Sequence, residues 1–414
     1  AFELGRGPEG SWWVLGDRTQ APSGAGFALE NRVATTRALS EIYASLNINR
    51  LAGFFRGFRD ALFNQAQRDG GRVGILTPGQ LNETYFEHAY IARYLGLMLL
   101  EGEDLVVEDG QVMVRTVAGL KPVSVLWRRL DASFADPLEL RYDSHIGTPG
   151  MVEALRAGSI SMINALGTGI METRALAAFM PRLCKHLLGT GLELPEIATW
   201  WCGQGAEREF VLDNFDQLMI GPAFSTQLPF DDLRGTALGA SMTAEQKADL
   251  KSRIANDGGA YVGQEPVRLS TAPVYVDGKL EPRPITLRVY AARTDEGWTI
   301  MPGGFARVGS TTDTTALAMQ RGGQAADVWV LSSKPVEQVS LLPREGEKLV
   351  RNAPGNLPSR AADNLIWLGR YAERCEASVR ILRACDAGEL LPRHTEDPEH
   401  FECRFCAWKE RCWA

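Results

Sequence analysis

Short apolar runs alternate with amphipathic stretches along most of this chain, a pattern that predicts strands alternating with helices. Residues 12–15 read as a strand that empties into the turn-rich run APSGAG, with a helix expected from near Glu30. Ser23, Gly24 and Gly26 form either a plain strand-to-helix loop or a set of backbone N–H groups presented to an anion. Leu51, Phe54, Phe55 and Phe58 give residues 47–64 the apolar face of a core helix. Residues 73–76 form the next strand, and Pro78 and Gly79 turn the chain. Asn82 stands where it can cap a helix to Leu95, and residues 105–107 complete a β-α-β unit.

Residues 111–115 and 123–127 look like a strand pair that delivers the chain into its most polar stretch. The second strand empties directly into Arg128, Arg129 and Asp131, and strand ends are where α/β proteins keep their chemistry. Thr148 can cap a short helix with Pro149 at its first position and Gly158 at its close. Residues 160–163 form another strand with Asn164 at its end. Gly167 and Gly169 then bend the backbone before Glu172 opens the next helix. A strand-end Asn beside a Glu points to a hard metal ion. Further on, residues 217–220 read as a strand running into Gly221, Pro222 and Ala223. Residues 242–256 form an amphipathic helix, 261–264 and 287–291 form strands, and 327–331 the last core strand. Residues 334–355 form a linker, and Leu365, Leu368, Ala372, Cys375, Val379 and Leu382 then follow the a/d rhythm of a bundle helix that needs partners.

Composition narrows the classes. With 414 residues and 45% hydrophobic content the chain can build two or three domains. A formal net charge of -7 argues against general affinity for nucleic acid or an anionic membrane, and no window resembles a transmembrane span or signal peptide. Of seven Cys, four stand apart (Cys184, Cys202, Cys375, Cys385) and three crowd the end (Cys403, Cys406, Cys412), which fits a reduced, cytoplasmic protein. Cys202 has no basic partner in sequence and reads as packing. With His400 the tail has an H-x2-C-x2-C-x5-C spacing. It holds zinc or an iron–sulfur cluster, or its thiols are unliganded.

The motifs WWVLGDRTQAPSGAGFALENR, LTPGQLNETYFEHAYIARYLG, WRRLDASFADPLELRYDSHIGTPG, ATWWCGQ, GQEPVRLSTAPV, LRVY and MPGGFARVG follow one another in this order. Together they resemble the circularly permuted ATP-grasp family related to glutathionylspermidine synthase, a group of carboxylate–amine ligases encoded beside or fused to alpha-E domains. The resemblance implies an α/β (α+β) fold, a circularly permuted ATP-grasp with a β-α-β substrate-side domain. On that scheme residues 11–205 form the substrate-side and metal-binding part, 206–345 the ATP-binding lobes, 346–392 a linker and the first alpha-E helix, and 393–414 the Cys-rich tail. The family normally has sequence upstream of this point, so the chain is expected to be a fragment. Its C-x2-C-x5-C ending also resembles the cysteine knot of RecB-like nucleases, a nucleic-acid reading that the acidic balance opposes.

ATP and Mg²⁺ would be the cofactors the resemblance implies, with Asp131, Asn164 and Glu172 as metal ligands; Met162 stands where related ligases carry a Glu. Gln264, Glu265 and Val267 match the hinge that meets adenine and ribose. Arg128 or Arg129, with Arg288 and Arg307, would neutralise the transferring phosphoryl and hold the carboxylate; exposed hairpin arginines are the plain alternative for the last two. Asn82, Glu83 and Tyr85 are expected near the small-molecule pocket, Asn82 as a cap being the alternative. ATP-grasp proteins ordinarily place Lys or Arg before the Pro-Ala pair, where this chain has Gly221. Arg288 is the first choice to stand in, with Arg234 and Lys251 behind it. The expected activity is ATP-dependent amide formation through an acyl phosphate, and the alternative is a nucleotide-binding protein without turnover. Expected partners are carboxylate and amine substrates and the remaining alpha-E helices or a helical protein.

Overall fold

The most apolar strands assemble into a largely parallel sheet. A computed structural model of the chain describes residues 1–69, 71–226, 235–310, 323–336, 339 and 357–386. In it the strands Met98–Leu100, Arg72–Leu76, Gly119–Arg128, Gln111–Thr116 and Leu105–Glu108 lie side by side in that order, with Ser161–Ile163 also paired to Gly119–Arg128. The Arg72–Leu76 strand runs parallel to both its neighbours, and helix Tyr85–Leu95 makes the crossover to Met98–Leu100; the expected third element, residues 105–107, instead pairs antiparallel with Gln111–Thr116. Val73, Ile75, Leu76, Val125 and Leu126 are buried, as strands covered on both faces require. Phe54, Phe55, Leu62 and Ile91 from two helices pack with Ile75 and Val125, while Met151, Val112 and Val114 pack with Leu76 and Leu126.

A second, antiparallel sheet has the order Gln324–Asp327, Phe305–Val308, Lys279–Val289, Phe2–Arg6, Trp12–Asp17. Its register sets Glu3 directly opposite Arg288. A third sheet of four antiparallel strands, Ala237–Leu238, Met219–Pro222, Tyr261–Gln264 and Thr199–Trp201, has its own core of Cys202, Val211, Phe215, Leu218, Ile220 and Ile254. The helix Ala244–Asn256 borders that core and begins with a capping box in which Thr243 and Gln246 satisfy each other's backbone. This mixed α/β architecture is the expected fold class.

Residues Thr116–Ala118 and Pro354–Ala414 form a separate unit, whose described part centres on the 28-residue helix Ser359–Asp386. Leu365, Leu368, Val379 and Leu382 of its a/d stripe are exposed.

Several local expectations are corrected. The helix expected near Glu30 begins at Ala25, because Gly24 takes the left-handed conformation that starts it. The helix expected from residue 47 begins at Ala52. Asn82 caps no helix: its Oδ1 accepts from the N–H and hydroxyl of Thr84, forming an Asx turn ahead of Tyr85. Thr148 is buried and donates to Gly102 O. The N–H groups at the start of helix Met151–Arg156 are taken by the distant carboxylate of Asp136, with Val152 N at 2.9 Å and Gly150 N at 3.3 Å. Glu172 closes a 3-10 turn, Thr168–Glu172, instead of opening a helix. The last core strand is Gln324–Asp327, short of residues 327–331.

Candidate active site

The loop that follows strand Trp12–Asp17 is held at the ends of the parallel strands. Asn164 donates its side-chain N–H to Thr19 O, which also accepts from the Thr168 hydroxyl at 3.1 Å. Glu172 Oε1 accepts from the N–H groups of Thr19 and Gln20, each at 2.6 Å, and Gln20 Oε1 accepts from Ala132 N at 3.1 Å. Asn164, Glu172 and the residue after Asp131 therefore all grip one segment, Thr19–Gln20. Asp131 is exposed and accepts from Ser133 N and Oγ at the start of the 3-10 turn Ala132–Phe134. Both Asp131 and Glu172 act electrostatically on Arg128.

The four sequence-predicted arginines have different surroundings. Arg128 is fully buried and donates to the carbonyls of Leu130, Asn164 and Ala165 at 2.6, 3.1 and 3.3 Å, tying two strand-end loops together. Arg288 is 5% exposed and its guanidinium is ion-paired with Glu3, itself 1% exposed, while Nη1 donates to Ser23 O at 2.9 Å. It is neither an exposed hairpin arginine nor a side chain directed at open space. Arg307 is half-buried, opposite Thr286 and Ala325.

Arg129 differs from these. It is 6% exposed, donates Nη2 to Pro22 O at 2.6 Å and lies over the Trp127 ring at 5.3 Å, but its Nε and Nη1 are buried with no partner. Burial pulls its pKa down, with Glu87 the largest opposing influence. Glu87 is buried too, and its Oε1 accepts from Gly24 N at 2.7 Å and Gly26 N at 3.1 Å. The N–H groups of Gly24 and Gly26 in this glycine loop are thus taken by the chain's own carboxylate. His88 bridges Thr77 and Thr84, and burial together with the Arg129 charge pushes it down to about 3. Pro22 and Trp127, both in contact with Arg129, also line a cavity of about 530 Å³ whose walls include Phe54, Phe58, Tyr290, Trp298 and Asn164.

On the third sheet Gln264 is buried and donates to the Thr199 hydroxyl at 3.0 Å, Glu265 is exposed, and Val267 packs with Leu15, Ile197 and Leu269. Gly221 faces a cation that sequence reasoning missed. A Cβ at 221 would collide with Nη1 of Arg174, which donates to the Thr236 hydroxyl. Of the other candidates, Lys251 lies 5.1 Å from the centre of the Phe215 ring, and Arg234 is outside the described residues. Arg174 also lines a small cavity of about 40 Å³ with Asp17, Glu172, Glu196 and Gln264. There burial, then the Asp17 charge, pushes the Glu196 carboxyl up to about 7. Cys202 is fully buried, and that burial drives its thiol to about 11, in keeping with packing. Among the described residues no group of three or more His, Cys, Asp and Glu is placed to hold a metal; His400, Cys403, Cys406 and Cys412 lie outside those residues. No described helix is long and apolar enough to cross a membrane.

Similar sequences occur in Mycobacterium tuberculosis and Synechocystis. An uncharacterized protein of Mycobacterium tuberculosis is 34% identical over 412 residues, covering 97% of this chain and 45% of that protein. One of Synechocystis is 32% identical over 331 residues, covering 80% and 68%. The chain therefore spans about half the length of the mycobacterial relative. Among solved structures, a glutathione synthetase like-effector from Globodera pallida in apo form aligns with a TM-score of 0.48 at 12% identity, covering 80% of this chain and 74% of that one. Alpha-E, a predicted alpha-helical domain with a conserved ER motif, matches residues 357–403. Circularly permuted ATP-grasp type 2 matches residues 1–309, and the chain belongs to that family.

Proposed function

We propose that this chain is an ATP- and Mg²⁺-dependent carboxylate–amine ligase of the cytoplasm that works through an acyl phosphate. The observation that carries the reading is Arg129. A guanidinium with two buried, unpaired N–H groups is costly, on the order of 1–3 kcal/mol for each unsatisfied donor. An arriving carboxylate or phosphoryl oxygen would offset that cost, because guanidinium donates to such groups at fixed geometry. Burial, and then the Arg129 charge, keep His88 neutral beside it, so the imidazole adds no positive charge of its own.

The oxygen donors of Asp131, Asn164 and Glu172 suit a hard cation, and Met162 adds none. Asn164 has its amide nitrogen committed to Thr19, and Glu172 has Oε1 committed to Thr19 and Gln20, so they would offer Asn164 Oδ1 and Glu172 Oε2. Mg²⁺ there would neutralise phosphate charge. Gln264, Glu265 and the backbone at Val267 would meet adenine and ribose. Arg128 and Arg288 would hold the surrounding loops in place, and Arg307 would add positive charge. The aromatic-walled cavity of about 530 Å³ would take the body of a small-molecule or peptide substrate.

The test is a screen of amino acids and polyamines for amine-dependent ADP release, run in parallel on the parent and Arg129→Met. Turnover by the parent and at least a ~100-fold loss in the variant, the scale for removing one oriented donor, would support the reading. Gly221 and Met162 favour a second reading, a nucleotide-binding protein without turnover. Nucleotide binding with no ADP release under any amine would select it.

A further inference from the structure

We propose that Arg174 is the phosphate-facing cation of the nucleotide site, standing in space for the basic side chain that position 221 lacks. This rests on the nucleotide-binding part of the preceding reading. Gly221 pairs with Val262 across the third sheet, and paired residues present their side chains on the same face. Gln264 lies two residues beyond Val262 and Ala223 two beyond Gly221, so all four positions share that face. The packing agrees, since Ala175, next to Arg174, is buried against Ala223 and Val262. Arg174 therefore crosses the face that carries the hinge residue Gln264, and it lines the same small cavity as Gln264.

The placement is rigid. Ala175 N donates to Ala223 O at 2.8 Å, fixing the start of helix Arg174–Ala177 against the strand extension, and the Arg174 guanidinium is held by Thr236. It is 4% exposed, so its charge acts in a water-poor setting where an oriented donor counts most. Glycine at 221 is what makes this possible: any side chain there would occupy the space of the guanidinium nitrogen. A basic side chain on the strand is thus replaced by a guanidinium arriving from another segment.

The experiment measures equilibrium binding of MgATP by calorimetry, amine-dependent ADP release, and thermal unfolding for the parent, Arg174→Ala, Arg174→Lys and Arg174→Ala/Gly221→Lys. Arg174→Ala should weaken nucleotide affinity at least ~10-fold and slow turnover ~100-fold, the scale of one oriented cation. Arg174→Lys should recover part of the affinity. In the double variant the guanidinium is gone and the Thr236 hydroxyl, 2.6 Å from a Cβ at 221, has lost the Arg174 bond that holds it and can rotate away, so Lys should restore affinity to within ~10-fold of the parent. If Arg174→Ala loses its fold, the double variant still decides: a folded double variant that binds no better than background overturns the assignment. A folded Arg174→Ala that binds MgATP like the parent also overturns it, while leaving the ligase reading intact. A parent that binds no MgATP removes that reading and this inference together.

Discussion

Replacing Arg288 by Met separates a structural arginine from a catalytic one. The substitution leaves the Glu3 carboxylate, 1% exposed, without its ion-pair partner. Breaking a buried pair from one side costs about 3–5 kcal/mol, because a charge is left in a poorly solvating interior. Ser23 O adds little to that figure, since it still accepts from the Tyr290 hydroxyl at 3.0 Å. At roughly 2–4 °C per kcal/mol for sizeable domains, Tm should fall by about 10 °C. The companion variant Glu3→Gln/Arg288→Met removes both charges and should regain most of the loss, since apolar or neutral replacement of a buried pair is often close to neutral. Thermal unfolding of the two single variants and the double variant forms a cycle whose coupling term is the quantity of interest. A melting temperature for Arg288→Met within about 2 °C of the parent, with nucleotide binding or turnover lost, would refute this reasoning and return Arg288 to the catalytic set.

Two pH dependences follow from the buried titrating groups. His88 is held at about 3, below its usual 6.5, by burial first and Arg129 second. Between those values the unfolded chain binds a proton that the folded chain refuses, so stability present above about 6.5 is lost as pH falls toward 3. His88→Gln should flatten that acid limb in chemical denaturation at pH 4–7, and an unchanged limb would count against it. Glu196 has the opposite sign: its carboxyl is raised from 4.5 to about 7 by burial and then by Asp17, so the stability it contributes is complete below about 4.5 and is lost as pH rises through 7. Allowing for its partial exposure, Glu196→Gln should gain about 1–2 kcal/mol at pH 8 relative to pH 5, read from the shift in denaturation midpoints.

The sequence signals that survived were periodic or local. Alternation of apolar runs predicted the strands at 73–76 and 123–127 and the crossover helix between them, because burial on both faces leaves a mark on every residue of such a strand. Capping was less legible wherever the cap came from far away. Thr148 has the right chemistry and spacing, but Asp136 reaches the same helix through a loop, and spacing cannot reveal which of two competent acceptors the tertiary fold brings nearer. The glycine loop at Ser23–Gly26 reads in sequence as either a plain connection or a place for an anion, and nothing local decides between them. Glu87 arrives from helix Tyr85–Leu95, 63 residues from Gly24 in sequence, and no local pattern connects the two.

The arginines show why residue type and position at a strand end do not fix a role. Arg128 and Arg129 are adjacent in sequence, both buried and both at the end of the same strand, yet one gives all its described bonds to loop carbonyls and the other keeps two donors unpaired. Alternation accounts for the division. Successive residues of a strand point to opposite faces, so Arg128 meets the Asn164 and Ala165 carbonyls while Arg129 turns toward Pro22 and the cluster of Glu87 and Tyr290. Arg174 was invisible for a different reason. Its significance lies in a glycine on another segment, and a glycine reports only that a side chain is absent, not what fills the space. Reading Gly221 as a lost function and reading it as room for an incoming guanidinium are the same observation in sequence. They become different only when the Arg174 helix is seen packed on the Gln264 face of the sheet, with Ala175 bonded to Ala223.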